Sequence, residues 1–187
     1  WITVSGRENV RPGQSYVILS NHQSHFDILA VYGHLNMPFR WVIKEELRKA
    51  PFIGWYTSTN GHIFVDRSNR EKALASLQAA RKRLSNGLSV LFFPEGSRSR
   101  DGRLTPFKKG GFHTAFDLGL PILPISISGT WKVMPSKTMK LLPGRVRITI
   151  HPPIETSRWR RENMDGLVAE TRKSIGEGLT SWERGEV

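Results

Sequence analysis

The sequence predicts a single α/β domain in which a mixed, largely parallel sheet is flanked by helices. Short β-branched and apolar runs alternate with helical stretches and are not joined by tight hairpins. The 187 residues, 38% hydrophobic and 24% charged, suffice for one domain with a sizeable core and are short for two. No repeat, low-complexity tract or linker divides the chain, and its composition excludes disorder and collagen-like repeats.

Ser15–Ser20 (SYVILS) is β-branched and apolar and reads as a buried strand. Phe26–Leu35 reads as a helix, with Phe26, Leu29, Ala30 and Tyr32 on related faces. Phe39–Ile43 and Gly61–Val65 follow as short strands. Ser68 to Glu71 forms a capping box that opens a helix to about Ser85, with a stripe of Ala73, Leu74, Leu77, Ala80 and Leu84. Asn86–Gly87 supplies its left-handed stop. Leu88–Phe93 (LSVLFF) is a further buried strand. A helix near Gly111–Leu118 and strands at Pro121–Ser128 and Arg145–Ile150 come next. A last helix is expected over about Arg160–Trp182, with Met164, Leu167, Val168, Ile175, Leu179 and Trp182 on one side. In such folds the loops leaving the carboxyl ends of the strands build the site.

Lysine plus arginine is 28 and aspartate plus glutamate 16, a net charge of +12 that calls for a polyanionic partner. Residues 81–109 hold eight basic and two acidic side chains, and residues 131–161 hold eight and one, so the excess is local. The absence of cysteine excludes disulfides, thiolate metal sites and a cysteine nucleophile. No apolar run approaches the roughly 18 residues needed to span a bilayer. The chain opens at Trp1 rather than Met, and a membrane-anchoring segment is expected upstream of it.

Three loops carry the candidate chemistry. Asn21-His22-Gln23-Ser24-His25-Phe26-Asp27 leaves the first strand for a helix. Five positions apart, His22 and Asp27 differ by about 140° on a helix, so they meet only if His22 lies in the loop and Asp27 in the first turn. There the aspartate would accept from the imidazole Nδ1–H and leave Nε2 as a general base. Asn21, Ser24 and Asp27 also read as turn and capping residues beside two incidental histidines. A metal set of His22, His25 and Asp27 lacks a fourth ligand, and HExxH is absent.

The stretch from Phe93 through Pro94, Glu95, Gly96, Ser97 and Arg98 to Arg103 joins glycine, serines and arginines and leads to a helix start near Lys108-Lys109-Gly110-Gly111. Glycine permits close backbone approach, and arginine offers a planar fork matched to phosphate oxygens. This suits a phosphate monoester; a solvated basic loop is the other reading. GxxxxGK[ST] and G-x-S-x-G are both absent, so it is neither a P-loop nor a nucleophile elbow. The third loop, Gly61 to Arg67, ends a strand with the Asp66–Arg67 pair.

Together these loops resemble the glycerolipid acyltransferase family, most closely its bacterial 1-acyl-sn-glycerol-3-phosphate acyltransferases. Asn21–Asp27 matches the NHxxxxD block, and Gly61–Arg67 the GxxFIDR block with Val65 for isoleucine. Phe93–Ser99 matches FPEGTRS with Ser97 for threonine, and Gly119–Ile125 resembles the proline-spaced fourth block. The resemblance implies acyl transfer from acyl-CoA or acyl-carrier protein to the sn-2 hydroxyl of lysophosphatidic acid, without metal or other cofactor. It implies His22 as base with Asp27 orienting it. Arg67, Glu95, Gly96, Ser97 and Arg98 would form the acceptor-phosphate site, with Glu95 orienting an arginine or the glycerol hydroxyl. Asn21, Ser24, Gly61, Asp66 and Pro94 would support them. A chain without cysteine fits direct transfer with no acyl-enzyme. The expected setting is the cytoplasmic face of a bacterial inner membrane. The basic windows, with Trp131, Met134, Met139 and Trp159, would hold the chain to anionic lipid. Another lysophospholipid or polar lipid acceptor, a hydrolase using water, and a nucleic-acid-binding module are the alternatives; no nucleic-acid motif supports the last.

Overall fold

The computed structural model describes residues 1–51, 53–66, 71–72, 75–76, 87–136, 138 and 140–186. Seven strands form one sheet: β1 (Ile2–Ser5), β2 (Val17–Ser20), β3 (Phe39–Lys44), β4 (Ile63–Val65), β5 (Ser89–Phe92), β6 (Ile122–Ser128) and β7 (Val146–Ile150). Their order is β1-β7-β6-β2-β5-β3-β4, and every neighbouring pair is parallel except β6 and β7. The helices are α1 (Phe26–His34), α2 (Ile53–Thr59), α3 (Gly110–Leu118), α4 (Thr130–Val133), α5 (Met164–Glu177) and α6 (Ser181–Arg184).

Alternation along the central strands supplies both faces of the sheet. Val17 and Leu19 of β2 join Phe112, Ala115 and Leu118 of α3 and Leu167 of α5 on one face. Tyr16 and Ile18 join Ala30 and Val31 of α1 with Leu123, Ile125 and Ile127 of β6 on the other. Burial on both sides is why β2, β5 and β6 read as continuous apolar runs.

The expected strands all form. β1 and α2 are elements the sequence did not announce, and β1 pairs with β7 at the sheet edge. On α1, Leu29 faces solvent, Tyr32 is partly exposed with its ring against Phe39 and Trp41 of β3, and Ala30 and Val31 meet the sheet. Four residues of the capped helix at 68–85 (Glu71, Lys72, Ala75, Ser76) are helical; the rest of that segment, its capping box and Asn86 lie outside the described residues. Gly87 has the left-handed φ of a stop, +84°.

The helix expected over Arg160–Trp182 is broken. A 3₁₀ turn at Arg161–Asn163 precedes α5, and the chain leaves helix at Gly178 before Thr180 and Glu183 cap α6 with a reciprocal capping box. Trp182 therefore leaves the core face and stacks on Trp131. Met134 is buried and Trp159 packs against the core, so neither is available to a membrane; Met139 lies outside the described residues.

Candidate active site

The site begins where β2 ends. After Ser20 the chain turns out of the sheet, so Ile127 of β6, paired with Ile148 of β7 on one side, has no β2 residue opposite it on the other. The Asn21 side chain replaces that strand: its amide donates to the Ile127 carbonyl (2.8 Å) and accepts from the Ile127 N–H (2.8 Å). Only an amide both donates and accepts in this way, which explains asparagine here.

His22 follows, in the loop, and Asp27 lies in the first turn of α1. His22 Nδ1 is 2.6 Å from Asp27 Oδ2. A buried carboxylate can only accept, so Nδ1 carries the proton and Nε2 presents a lone pair. The same Oδ2 accepts from the backbone N–H groups of Gln23 (2.7 Å) and Ser24 (2.9 Å), so the loop is wrapped around one oxygen. Ser24 Oγ donates to the Met134 carbonyl and accepts from the Phe26 N–H at the start of α1. The His22 ring lies flat on Phe93, with centroids 3.8 Å apart and planes within 7°. Phe93 in turn stacks on Trp41 of β3.

The loop after β5 is hydrogen-bonded to this dyad. Glu95 is buried, and its Oε1 accepts from the His22 N–H (2.7 Å). Its Oε2 accepts from the N–H and hydroxyl of Thr105 (2.8 and 2.5 Å). Both Glu95 oxygens thus brace the two loops from within, through His22 and Thr105 rather than through an arginine. Burial raises its carboxyl above the ordinary range, against the lowering effect of these hydrogen bonds. The Ser99 N–H donates to the His22 carbonyl (2.8 Å), and the Pro94 carbonyl accepts from the Lys108 N–H just before α3. Gly96 has φ +77°, a left-handed turn that favours glycine, and a Cβ there would also press on the mobile end of the Lys108 side chain at 2.9 Å.

Ser97 is exposed and Arg98 half-buried at the outer side of this loop. Arg98 lies near His25, whose imidazole is held below its ordinary value by burial, by Arg98 and by His22. Structure therefore brings together the blocks at 21–27 and 93–99. The third block is farther off: β4 is the sheet edge, three strands from β2, or about 14 Å at ordinary strand spacing. Gly61 turns into β4 with φ +69°, and Asp66 is half-buried beyond its carboxyl end. Arg67 lies outside the described residues. The fourth block is the left-handed cap of α3 at Gly119 followed by β6.

Sequence reasoning missed Phe93 as the ring beneath His22, Thr105 as the partner of Glu95, and Glu183. The carboxylate of Glu183, buried in α6, accepts from Gln23 Nε2 (3.0 Å) beside the dyad. A Thr-x-x-Glu capping pattern at 180–183 was legible; its reach across the fold was not. Among the described residues no group of three or more His, Asp or Glu side chains is placed to hold a metal ion.

The family model described as acyltransferase matches residues 1–128. The chain is 38% identical over 180 residues to a 1-acyl-sn-glycerol-3-phosphate acyltransferase of Chlamydomonas reinhardtii, covering 95% of this chain and 53% of that protein. It is 37% identical to the chloroplastic acyltransferase LPAT1 of Arabidopsis thaliana, covering 95% and 49%. The crystal structure of the lysophosphatidic acid acyltransferase PlsC from Thermotoga maritima superposes with a TM-score of 0.76 at 33% identity, covering 94% of this chain and 71% of that one. The chain spans about half the length of the curated relatives first matched.

Proposed function

The chain belongs to the acyltransferase family, and on that premise we propose that it acylates the sn-2 hydroxyl of 1-acylglycerol-3-phosphate, giving phosphatidic acid. The observation that carries this reading is the His22–Asp27 pair at 2.6 Å, fixed at the carboxyl end of the sheet with Nε2 as its free ring nitrogen.

His22 Nε2 takes the proton of the acceptor hydroxyl as the oxygen attacks the carbonyl carbon of an acyl thioester. Asp27 holds the ring and offsets the charge of the imidazolium. The tetrahedral intermediate collapses with loss of the thiolate of coenzyme A or of the carrier protein. That sulfur recovers the proton from Nε2, and His22 is neutral again. No acyl-enzyme forms, in keeping with a chain that has no cysteine.

Arg98, with Ser97 and the Gly96 backbone, receives the acceptor phosphate, and Arg67 is the further candidate from the third block. The amphiphilic acceptor places the reaction at a membrane surface reached by soluble thioester, in a bacterium the cytoplasmic face of the inner membrane. Among the described residues no helix is long and apolar enough to cross a membrane. The test is a mass-spectrometric product assay of purified protein with lysophosphatidic acid and acyl-CoA or acyl-carrier protein. Phosphatidic acid should form with the wild type and not with His22→Ala; full activity in that variant removes His22 as the base.

A further inference from the structure

We propose that Glu183 is a positioning residue for the dyad, acting through Gln23; this rests on the acyl-transfer reading above. Glu183 lies beyond residues 1–128, the part matched by the family model, yet its carboxylate is buried against the catalytic loop.

Five donors converge on it. Oε1 accepts from Gln23 Nε2 (3.0 Å) and the Gly129 N–H (2.8 Å). Oε2 accepts from Ser128 Oγ (2.7 Å) and from the N–H and hydroxyl of Thr180 (2.9 and 3.0 Å). Burial raises the carboxyl's pKa, but these hydrogen bonds outweigh it and hold the group below its ordinary value, so it is a carboxylate.

Gln23 is locked from both ends of its amide. Nε2 also donates to the Gly102 carbonyl (2.9 Å), and Oε1 accepts from Thr130 Oγ1 (3.2 Å). Its backbone N–H is one of the donors on Asp27 Oδ2. One carboxylate therefore fixes Gln23, and Gln23 fixes both the oxygen that holds His22 and the Gly102 end of the arginine loop. Gly102 packs its backbone closely on Trp131, whose ring a Cβ there would meet at 2.5 Å. The capping box that starts α6 doubles as the outer clamp, because Glu183 caps Thr180 and receives Gln23 with the same group.

Glu183→Gln keeps the volume but replaces one acceptor oxygen with an NH₂ group that faces donors already present. It is expected to lower kcat about 10-fold to 100-fold per folded enzyme, with the donor KM unchanged. Gln23→Met removes the relay and should lose a similar factor. The two losses should not multiply in the double variant, because both break one connection. The low-field proton resonance of His22 Nδ1–H, absent in His22→Ala, should move in both variants. Losses that multiply, or an unmoved resonance, overturn the proposal. If Glu183→Gln does not fold, Gln23→Met decides alone, and wild-type kcat in it is the overturning result. A wild type without acyl transfer defeats the proposed reaction, while the resonance still decides the role of Glu183.

Discussion

At Asp27 the chemistry of the site is concentrated on one atom. Oδ2 accepts hydrogen bonds from His22 Nδ1–H and from two backbone N–H groups, so it sets the loop's shape and the imidazole's tautomer together. Asp27→Asn keeps an acceptor oxygen for the backbone but loses the charge that stabilises the imidazolium. We expect kcat to fall by about 10² to 10⁴ with a circular-dichroism spectrum like that of the wild type. A variant within a few-fold of wild type would show that charge at position 27 is not used. Arg98 makes the opposite kind of contribution. It stands outside the braced interior, beside His25, where a guanidinium can meet a phosphate without disturbing the loop. Arg98→Ala should raise the acceptor KM about 10-fold or more, by the loss of a charge-assisted contact, and leave the donor KM alone. Initial rates with each substrate varied in turn read this split.

Among the elements, β3 and β4 are tied to α1 by a histidine. His62 Nδ1 accepts from the Trp41 N–H (3.2 Å), and Nε2 meets the Tyr32 hydroxyl (2.7 Å). Burial, and then Arg40, lower its pKa from 6.5 to about 4. A folded-state value below the unfolded one means that the unfolded chain takes up the proton first as pH falls. The contribution is complete above pH 6.5 and lost progressively toward pH 4, by roughly 3 kcal/mol in all. Urea titrations at about pH 7 and pH 5 should show this fall in the wild type. His62→Gln should flatten it, leaving the part due to His25 and His151, whose values are also lowered. An unchanged slope would remove His62 as its source. What the sequence made legible follows the range of the forces involved. β2, β5 and β6 are buried on both faces, so their apolar runs stand out locally. β1 has only four residues at the sheet edge, half of them exposed, and carries no such run. The last helix kept its apolar stripe through Gly178, where only the Thr180 cap reveals the break. The dyad was readable because its partners are five residues apart, whereas Glu183 meets Gln23 across 160 positions and nothing local marks the pair.

Across the whole molecule, the proposed reaction gives the +12 charge two expected tasks. Arg98, Arg100, Arg103 and Lys108 belong to the loop that approaches the dyad, where the proposed phosphate-bearing acceptor would meet them. The second basic window lies beside α4. There Leu142 donates its N–H to the Val133 carbonyl, bringing the segment 140–145 against the helix that carries Lys132. Leu141 and Leu142 are 62% and 47% exposed, next to exposed Lys132, Lys140 and Arg145. Apolar side chains amid lysine and arginine suit the boundary of an anionic bilayer, and on docking there we expect the leucines to enter the acyl region and the cations to meet phosphate. The face also adjoins the reaction centre, since Ser24 of the catalytic loop donates to the Met134 carbonyl at the end of α4. A lipid acceptor held there would reach His22 without leaving the membrane surface. Each basic residue near such a surface contributes about 1 kcal/mol, so replacing Lys132, Lys140 and Arg145 with glutamine should weaken binding to phosphatidylglycerol-containing vesicles about 100-fold. Raising salt from about 0.05 M to about 0.5 M should weaken the wild type in the same direction and the triple variant much less. Neutral phosphatidylcholine vesicles should bind both proteins equally. Vesicle sedimentation measures all three, and wild-type affinity of the triple variant for anionic vesicles would move the docking face elsewhere on the molecule.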